Sequence, residues 1–565
     1  MNTTSTSRRS GNFKMEKIII LGWDGATWDL FRPLARSGFL PNLERLVEEG
    51  LTCRLHSVHP PATATAWVSF ATGKNPGKHG VFDFLSPKGS LSRLRSVTSH
   101  DIRTETFYEV IARHGGKIVL VNLPVSFPPR LASDNHIVLT SIMTQGDEYV
   151  WPPELKARFP ILRRYRVAPD PLMRTRGSLD AYITDIRNLE AIRFECARQL
   201  FEETSWDLFF YMISGTDWIQ HRLYQKLVEG KVPESSPALK ALRDFDSYLG
   251  WFLDNKPREA WLFLISDHGF SVRKGCVYVN TFLWQHDWLK ATKGNHESHS
   301  LSRPVEQGSS QTRRSARIRL PNSLLSLLMR HQAASRIARF LWLLLKRHLP
   351  LRFSWQVASP SPGESEAFMP SDCSWGLYLN RKPRFDDGVL SEDEAQDLAQ
   401  QITASMKELT TPFDGKPVFD WVRLANEIYS GPYTDEAPDI VFYSKDFQPH
   451  ADLAPRSSLF RLFSENSHSL EGLLGATGPY INRNSSPESA SLIDIAPTVL
   501  HLMGLPVIDD MDGRILVDLF ESDSPPARRP VARTSPVWTE SRCDNLPSQG
   551  EEVVRERLKG LGYLS

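Results

Sequence analysis

Three apolar runs that each halt on an acidic residue constrain this chain more than any other feature. They read IIILGWD up to Asp24, FFYMISGTD up to Asp217 and LFLISD up to Asp267. Short continuous runs of β-branched and aromatic residues, bounded by glycine or polar residues, fit strands buried on both faces. Strands are therefore expected over Lys17–Leu21, Lys117–Val121, Leu208–Met212 and Ala260–Ile265. Helical patterns lie between them. Pro41–Glu49, for example, carries Leu43, Leu46 and Val47 at helical spacing and is stopped by Gly50. Strands alternating with helices predict an α/β fold around a mostly parallel sheet. Sites in such sheets gather beyond the carboxyl ends of the strands, where these aspartates fall.

Seven residues make up a candidate ligand set: Asp24, Thr63, Asp217, His221, Asp267, His268 and His468. Three carboxylates, three imidazoles and one hydroxyl suit two divalent ions, zinc first, with manganese or iron also compatible. Asp217 and His221 are four apart, which puts both on one face of a helix. Asp267 and His268 are adjacent and converge only in an irregular turn, for which Gly269 supplies freedom. Each has a plainer reading: Asp24 and Asp267 as helix caps, Asp217 with His221 as an ion pair, His468 in a satisfied hydrogen bond. Thr63 sits in a proline-led turn, HPPATATAW, expected to expose its hydroxyl, and Thr65 competes with it. Lys78 and His79 are candidates for substrate contact, or else parts of a solvated loop.

The 565 residues, 41% hydrophobic and 24% charged, allow one large core with insertions or two domains. A formal charge of +1 provides no global field for a nucleic acid polymer, so a small anionic substrate must be attracted locally. Five scattered cysteines without a CxxC pair suggest neither a disulfide framework nor a cysteine zinc site. With a polar N-terminus lacking a secretory apolar stretch, the cytoplasm is the expected compartment. The richest apolar run, Phe340 to Leu345, is far short of the roughly 20 residues of a spanning helix. Leu324 to Phe353 is basic and amphipathic, which suits peripheral membrane contact or a packed helix. Composition divides the chain into a leader (1–14), a core in two parts (15–289 and 371–521), an inserted helical cap (290–370) and a linker with a terminal helix (522–565).

The segments GWDGATWDLFRPL, LPNLERLVEEG, PPATATAWVSFATGKNPGKHGVFDF, SGTDWIQH, SDHGF, SHSLEG and DIAPTVLHLMGLPVIDDMDGR occur in this order. Together they resemble the alkaline phosphatase superfamily, and most closely its type I phosphodiesterase/nucleotide pyrophosphatase-like branch. The ending ERLKGLGYL is similar to the tail of such proteins. The resemblance implies an alkaline-phosphatase-like α/β core and two metals, usually zinc. By family pattern Asp217, His221 and His468 would hold one ion, Asp24, Asp267 and His268 the other, with Thr63 as nucleophile. Thr65 stands where the branch commonly has proline. Ala66 replaces an asparagine that contacts phosphate in the nucleotide pyrophosphatases, which argues against nucleotide specificity.

Two dications and three aspartates leave +1, which a deprotonated Thr63 would neutralise. The expected activity is hydrolysis of a phosphodiester or pyrophosphate through a phosphothreonine. A phosphomutase or phosphomonoesterase of the same superfamily is the alternative, and a non-catalytic binding protein is a more distant one. The GKNPGKH run lacks the spacing and the hydroxyl of a P-loop. A sulfatase-type CxPSR motif is absent.

Overall fold

The computed structural model describes residues 15–293, 358–537 and 549–563, apart from 132–134, 172, 174–176, 455–458, 486, 488–489 and 562. The expected leader 1–14 and the basic stretch 324–353 lie outside the described residues. No described helix is long and apolar enough to cross a membrane.

Nine strands build the central sheet. In chain order we label β1 (Ile18–Trp23), β2 (Leu51–His56), β3 (Ile118–Val121), β4 (His136–Leu139), β5 (Val150–Trp151), β6 (Leu208–Ile213) and β7 (Trp261–Ile265). Two further strands, β8 (Gly269–Tyr278) and β9 (Phe460–Ser469), pair with each other outside it. The chain then returns to the central sheet as β10 (Glu471–Thr477) and β11 (Ala490–Ser491). The sheet order is β11-β2-β10-β7-β1-β6-β3-β4-β5. Its centre, β7-β1-β6-β3-β4, is parallel, while β10 runs antiparallel to both neighbours and β5 antiparallel to β4.

Alternating residues of β1 and β6 feed two separate cores. Ile19, Leu21, Phe209 and Tyr211 join one, with helices Leu179–Glu203 and Pro237–Asn255. Ile18, Ile20, Leu208 and Phe210 join the other, with helices Thr63–Thr72 and Ile495–Leu502. Burial on both faces explains why these strands read as unbroken apolar runs.

Residues 376–443 depart from the expected second part of the core. Gly376–Leu379 and Ile440–Tyr443 are strands of a separate four-stranded sheet with Ala367–Phe368 and Trp421–Leu424. Helix Glu392–Glu408 contributes Leu398, Ile402 and Met406 to the core of this smaller unit.

Candidate metal centre

Register places the acidic groups at one edge. Ile18 faces Leu208 on one side and Trp261 on the other, so β1, β6 and β7 run out together at Trp23, Ile213 and Ile265. Asp24 follows β1 directly. Gly25 then turns the chain with φ 65° and donates its N–H to Asp267 Oδ1 at 3.1 Å. A Cβ there would meet the Phe270 ring at 2.7 Å and Asp217 Oδ1 at 3.0 Å, so glycine is required for space as well as for conformation. Asp217 lies in the first turn of helix Gly215–Val228, and His221 follows one turn later.

The start of that helix is held from outside. Glu190 accepts from the N–H groups of Ser214 (3.0 Å) and Gly215 (2.9 Å) and pairs with Arg193 at 3.0 Å, both side chains fully buried. A carboxylate at a helix N-terminus satisfies otherwise unpaired donors and suits the dipole. His468 arrives on β9, opposite Phe270 of β8. Gly269 is needed, but not for turn freedom: a Cβ there would stand 1.9 Å from the Glu471 carbonyl oxygen.

All seven candidates form one connected, largely buried cluster. Asp217 approaches His468 Nε2 at 3.2 Å and His221 Nε2 at 3.4 Å. His268 Nε2 stands 3.4 Å from Asp267, 3.7 Å from Asp24 and 3.4 Å from Thr63 Oγ1. The His268 and His468 rings stack at 3.7 Å. Two groups have ligand atoms within 4.8 Å of one another: Asp217, His221 and His468, and Asp24, Asp217 and His268. Asp217 therefore reaches both, and Asp267 stands behind His268 and Gly25.

The donor set fits divalent cations. His468 Nδ1 donates to the Pro61 carbonyl (2.8 Å) and His268 Nδ1 to that of Gly269 (3.1 Å). Each Nε2 then faces the cluster, and an imidazole anchored to the backbone through its other nitrogen is the usual form of a histidine ligand. His221 and His468 bring their Nε2 atoms to 3.0 Å of each other. Buried oxygens Asp24 Oδ1, Asp217 Oδ1 and Asp267 Oδ2 lack hydrogen-bond donors, an unfavourable state that a cation relieves.

Electrostatics point the same way. Burial, and then the charge of Asp267, push Asp24 well above the usual carboxylate range. Burial raises Asp267 to about 7. Burial opposes ionisation of Asp217 too, but His221 and then His468 hold it low. Burial and the neighbouring His468 keep His268 neutral. Opposed shifts packed into one site are a mark of functional chemistry.

Thr63 is not on an exposed turn. It is the first residue of helix Thr63–Thr72, wholly buried, and no side chain caps that helix. Thr65 Oγ1 is buried without a hydrogen-bond partner and is not among the contacts of the cluster. Lys78 and His79 are not brought to the site. The Lys78 ammonium binds the Asp510 carbonyl at 2.9 Å and the Asp512 carboxylate at 2.5 Å. His79 bonds Ser69 Oγ at 2.9 Å and accepts from the Val81 N–H, and burial pushes it down to about 3. These contacts tie the loop between Gly73 and Val81 to Ser69 and to Asp510 and Asp512.

Sequence reasoning missed two residues. Glu190 is far from the motifs and reads as one polar position in a long helix. Tyr563 donates its hydroxyl to Asp217 Oδ2 at 2.6 Å across 346 residues, and burial and that charge keep the phenol protonated.

Residues 18–446 match the family model described as type I phosphodiesterase/nucleotide pyrophosphatase. Two solved structures share the fold. Phosphonoacetate hydrolase from Sinorhizobium meliloti 1021, in complex with phosphonoformate, is 14% identical with a TM-score of 0.52, over 89% of this chain and 99% of that one. Wild type alkaline phosphatase PafA is 15% identical with a TM-score of 0.51, over 90% and 100%. No curated protein sequence matches.

Proposed function

The chain belongs to the type I phosphodiesterase/nucleotide pyrophosphatase family, and from that premise we propose that it hydrolyses a phosphodiester or pyrophosphate bond through Thr63. The observation that carries this reading is the uncapped N-terminus of helix Thr63–Thr72, opening with its first hydroxyl onto the buried carboxylate and imidazole cluster. A helix N-terminus without a side-chain cap favours a phosphoryl group by its N–H donors and its dipole.

Asp217, His221 and His468 would hold one divalent ion and Asp24, Asp267 and His268 the other, zinc in the first instance. Bound there, such ions supply Lewis acidity and countercharge for phosphoryl transfer. The chain's own contribution is placement. Thr63 Oγ1 forms the new P–O bond while the leaving oxygen departs on the opposite side. Water then attacks the phosphorus in a second in-line step, the bond to Thr63 Oγ1 breaks, and the water's proton restores the hydroxyl. Burial of Thr63 keeps the attacking oxygen in one orientation, which lowers the entropic part of the barrier. Ala66 offers no amide to the phosphate, which favours a substrate other than a nucleotide.

The test compares wild type with Thr63→Ala on an aryl phosphodiester and an aryl monoester. Turnover of the diester should exceed that of the monoester in wild type and fall about 10³-fold or more in the variant. Acid-quenched wild type should carry on Thr63, by mass spectrometry, the phosphoryl group with its remaining ester from the diester, and phosphate from the monoester. Equal turnover by the two proteins would refute the assignment.

A further inference from the structure

The last described helix, Gln549–Leu561, leads a tyrosine into the cluster, and its placement is fixed from several sides. Val554, Leu558 and Leu561 are buried in the same core as β1 and β6. Arg557 donates to the carbonyls of Ile142 (2.6 Å) and Thr144 (2.9 Å), and Arg555 to that of Leu94 (2.7 Å). Beyond the helix, the Tyr563 N–H donates to the Leu558 carbonyl at 3.0 Å, and Cys373 Sγ reaches the Tyr563 carbonyl at 3.2 Å. The Tyr563 ring is 1% exposed. It lies 4.9 Å from the Phe84 ring, 5.7 Å from that of His221 and 6.4 Å from that of His468.

Asp217 is the carboxylate that reaches both ligand groups. Its two oxygens are not equivalent. Oδ2 accepts the Tyr563 hydroxyl and stands 3.4 Å from His221 Nε2, whereas Oδ1 has no hydrogen-bond donor and stands 3.2 Å from His468 Nε2. Apart from the imidazoles, the hydroxyl is the side-chain donor that Asp217 meets among the described residues, so it fixes which oxygen turns towards His221 and which towards His468. We infer that Tyr563 is a positioning residue of this centre, orienting Asp217 for metal binding from a helix that lies beyond the family-matched segment 18–446. The inference rests on the metal-centre reading above. Groups that hydrogen-bond a ligating carboxylate usually account for 10- to 100-fold in metal affinity or activity, by the general behaviour of outer-sphere partners (roughly that range).

Full-length wild type, Tyr563→Phe and Thr63→Ala decide the matter. Phenylalanine keeps the ring and its packing and removes one hydroxyl. Zinc affinity of each folded protein is measured by competition with a chromogenic chelator, alongside kcat, KM and the melting temperature. Tyr563→Phe should bind zinc about 10- to 100-fold more weakly and lose kcat with little change in KM. Thr63→Ala should bind zinc within a few-fold of wild type yet fail to turn over. A Tyr563→Phe protein with wild-type zinc affinity and kcat, even if it melts lower, would assign the tyrosine to packing alone and overturn the inference. Wild type that binds no zinc would instead remove the metal-centre reading and the inference with it, whereas Thr63→Ala that turns over normally would remove the nucleophile assignment and leave the zinc affinity of Tyr563→Phe to decide the inference.

Discussion

Gly25 and Asp83 show how single residues set the conditions for this site. An alanine at Gly25 would adopt a left-handed conformation costing about 1–2 kcal/mol, and its Cβ would press on the Phe270 ring and Asp217. Gly25→Ala is expected to destabilise the protein by about that amount or more in urea unfolding. It should also weaken zinc binding, because the N–H that steadies Asp267 moves with it. Asp83 is buried at 2% exposure, accepts from Ser371 Oγ and the Phe84 N–H, and is pushed by burial up to about 7. The folded state thus keeps this proton above the pH at which the unfolded chain, near its ordinary 3.8, has released it. Stability from this group is full below that ordinary value and is lost as pH rises towards 7, by about 1.4 kcal/mol per pH unit. Asp83→Asn removes the slope. Its unfolding free energy minus that of wild type should therefore be larger, the variant relatively more stable, at pH 8 than at pH 5; a constant difference would show that Asp83 is not protonated in the fold.

Among the elements, helix Gly215–Val228 carries two proposed ligands, and its first turn depends on a neighbour in space. Glu190→Ala would leave Arg193 buried without its partner and should cost about 3–5 kcal/mol. Glu190→Gln keeps an acceptor for Ser214 and Gly215 and should cost less, about 1–3 kcal/mol. Denaturant unfolding of both variants separates the loss of charge from the loss of the cap. The helix itself was legible, since Asp217 and His221 share a face by spacing alone. The strands β1, β3, β6 and β7 were legible too, because burial on both faces writes itself as a continuous apolar run. Strand β10 was not: its EGLLGAT sequence has two glycines, and a Cβ on Gly472 or Gly475 would crowd Ser266 or Leu46. Glu190 was invisible for another reason, and Tyr563 drew notice only as part of the ERLKGLGYL ending. Their contacts span 24 and 346 residues, which local spacing does not encode. The partners of Lys78 and His79, Asp512 and Ser69, come from the fold, and no local spacing announces them.

For the whole molecule, the question is what joins the smaller unit to the rest. Composition set an inserted cap at 290–370, of which 294–357 lie outside the described residues. Ala291–Lys293 pairs antiparallel with Ala358–Pro360, and Lys293 faces Ala358 directly. Opposed residues of an antiparallel pair have Cα atoms about 4.5–5.5 Å apart, a gap that a two-residue hairpin turn closes. Further along, Ala367 and Phe368 form a strand in the smaller sheet and are buried in its core. Two deletions should therefore behave differently. Replacing 294–357 by Asn-Gly should leave a folded protein with zinc affinity and Thr63-dependent turnover of an aryl diester within a few-fold of wild type. Any change should lie in preference among larger esters. Deleting 290–370 should strip buried residues from the smaller core and lower the melting temperature sharply. The smaller unit also meets the site: Tyr429 donates to the His59 carbonyl, and Arg273 spans from Ser444 to the His468 carbonyl. Loss of its core should therefore carry zinc binding down with it. Zinc lost equally in both deletions would mean that 294–357 belongs to the centre rather than standing apart from it.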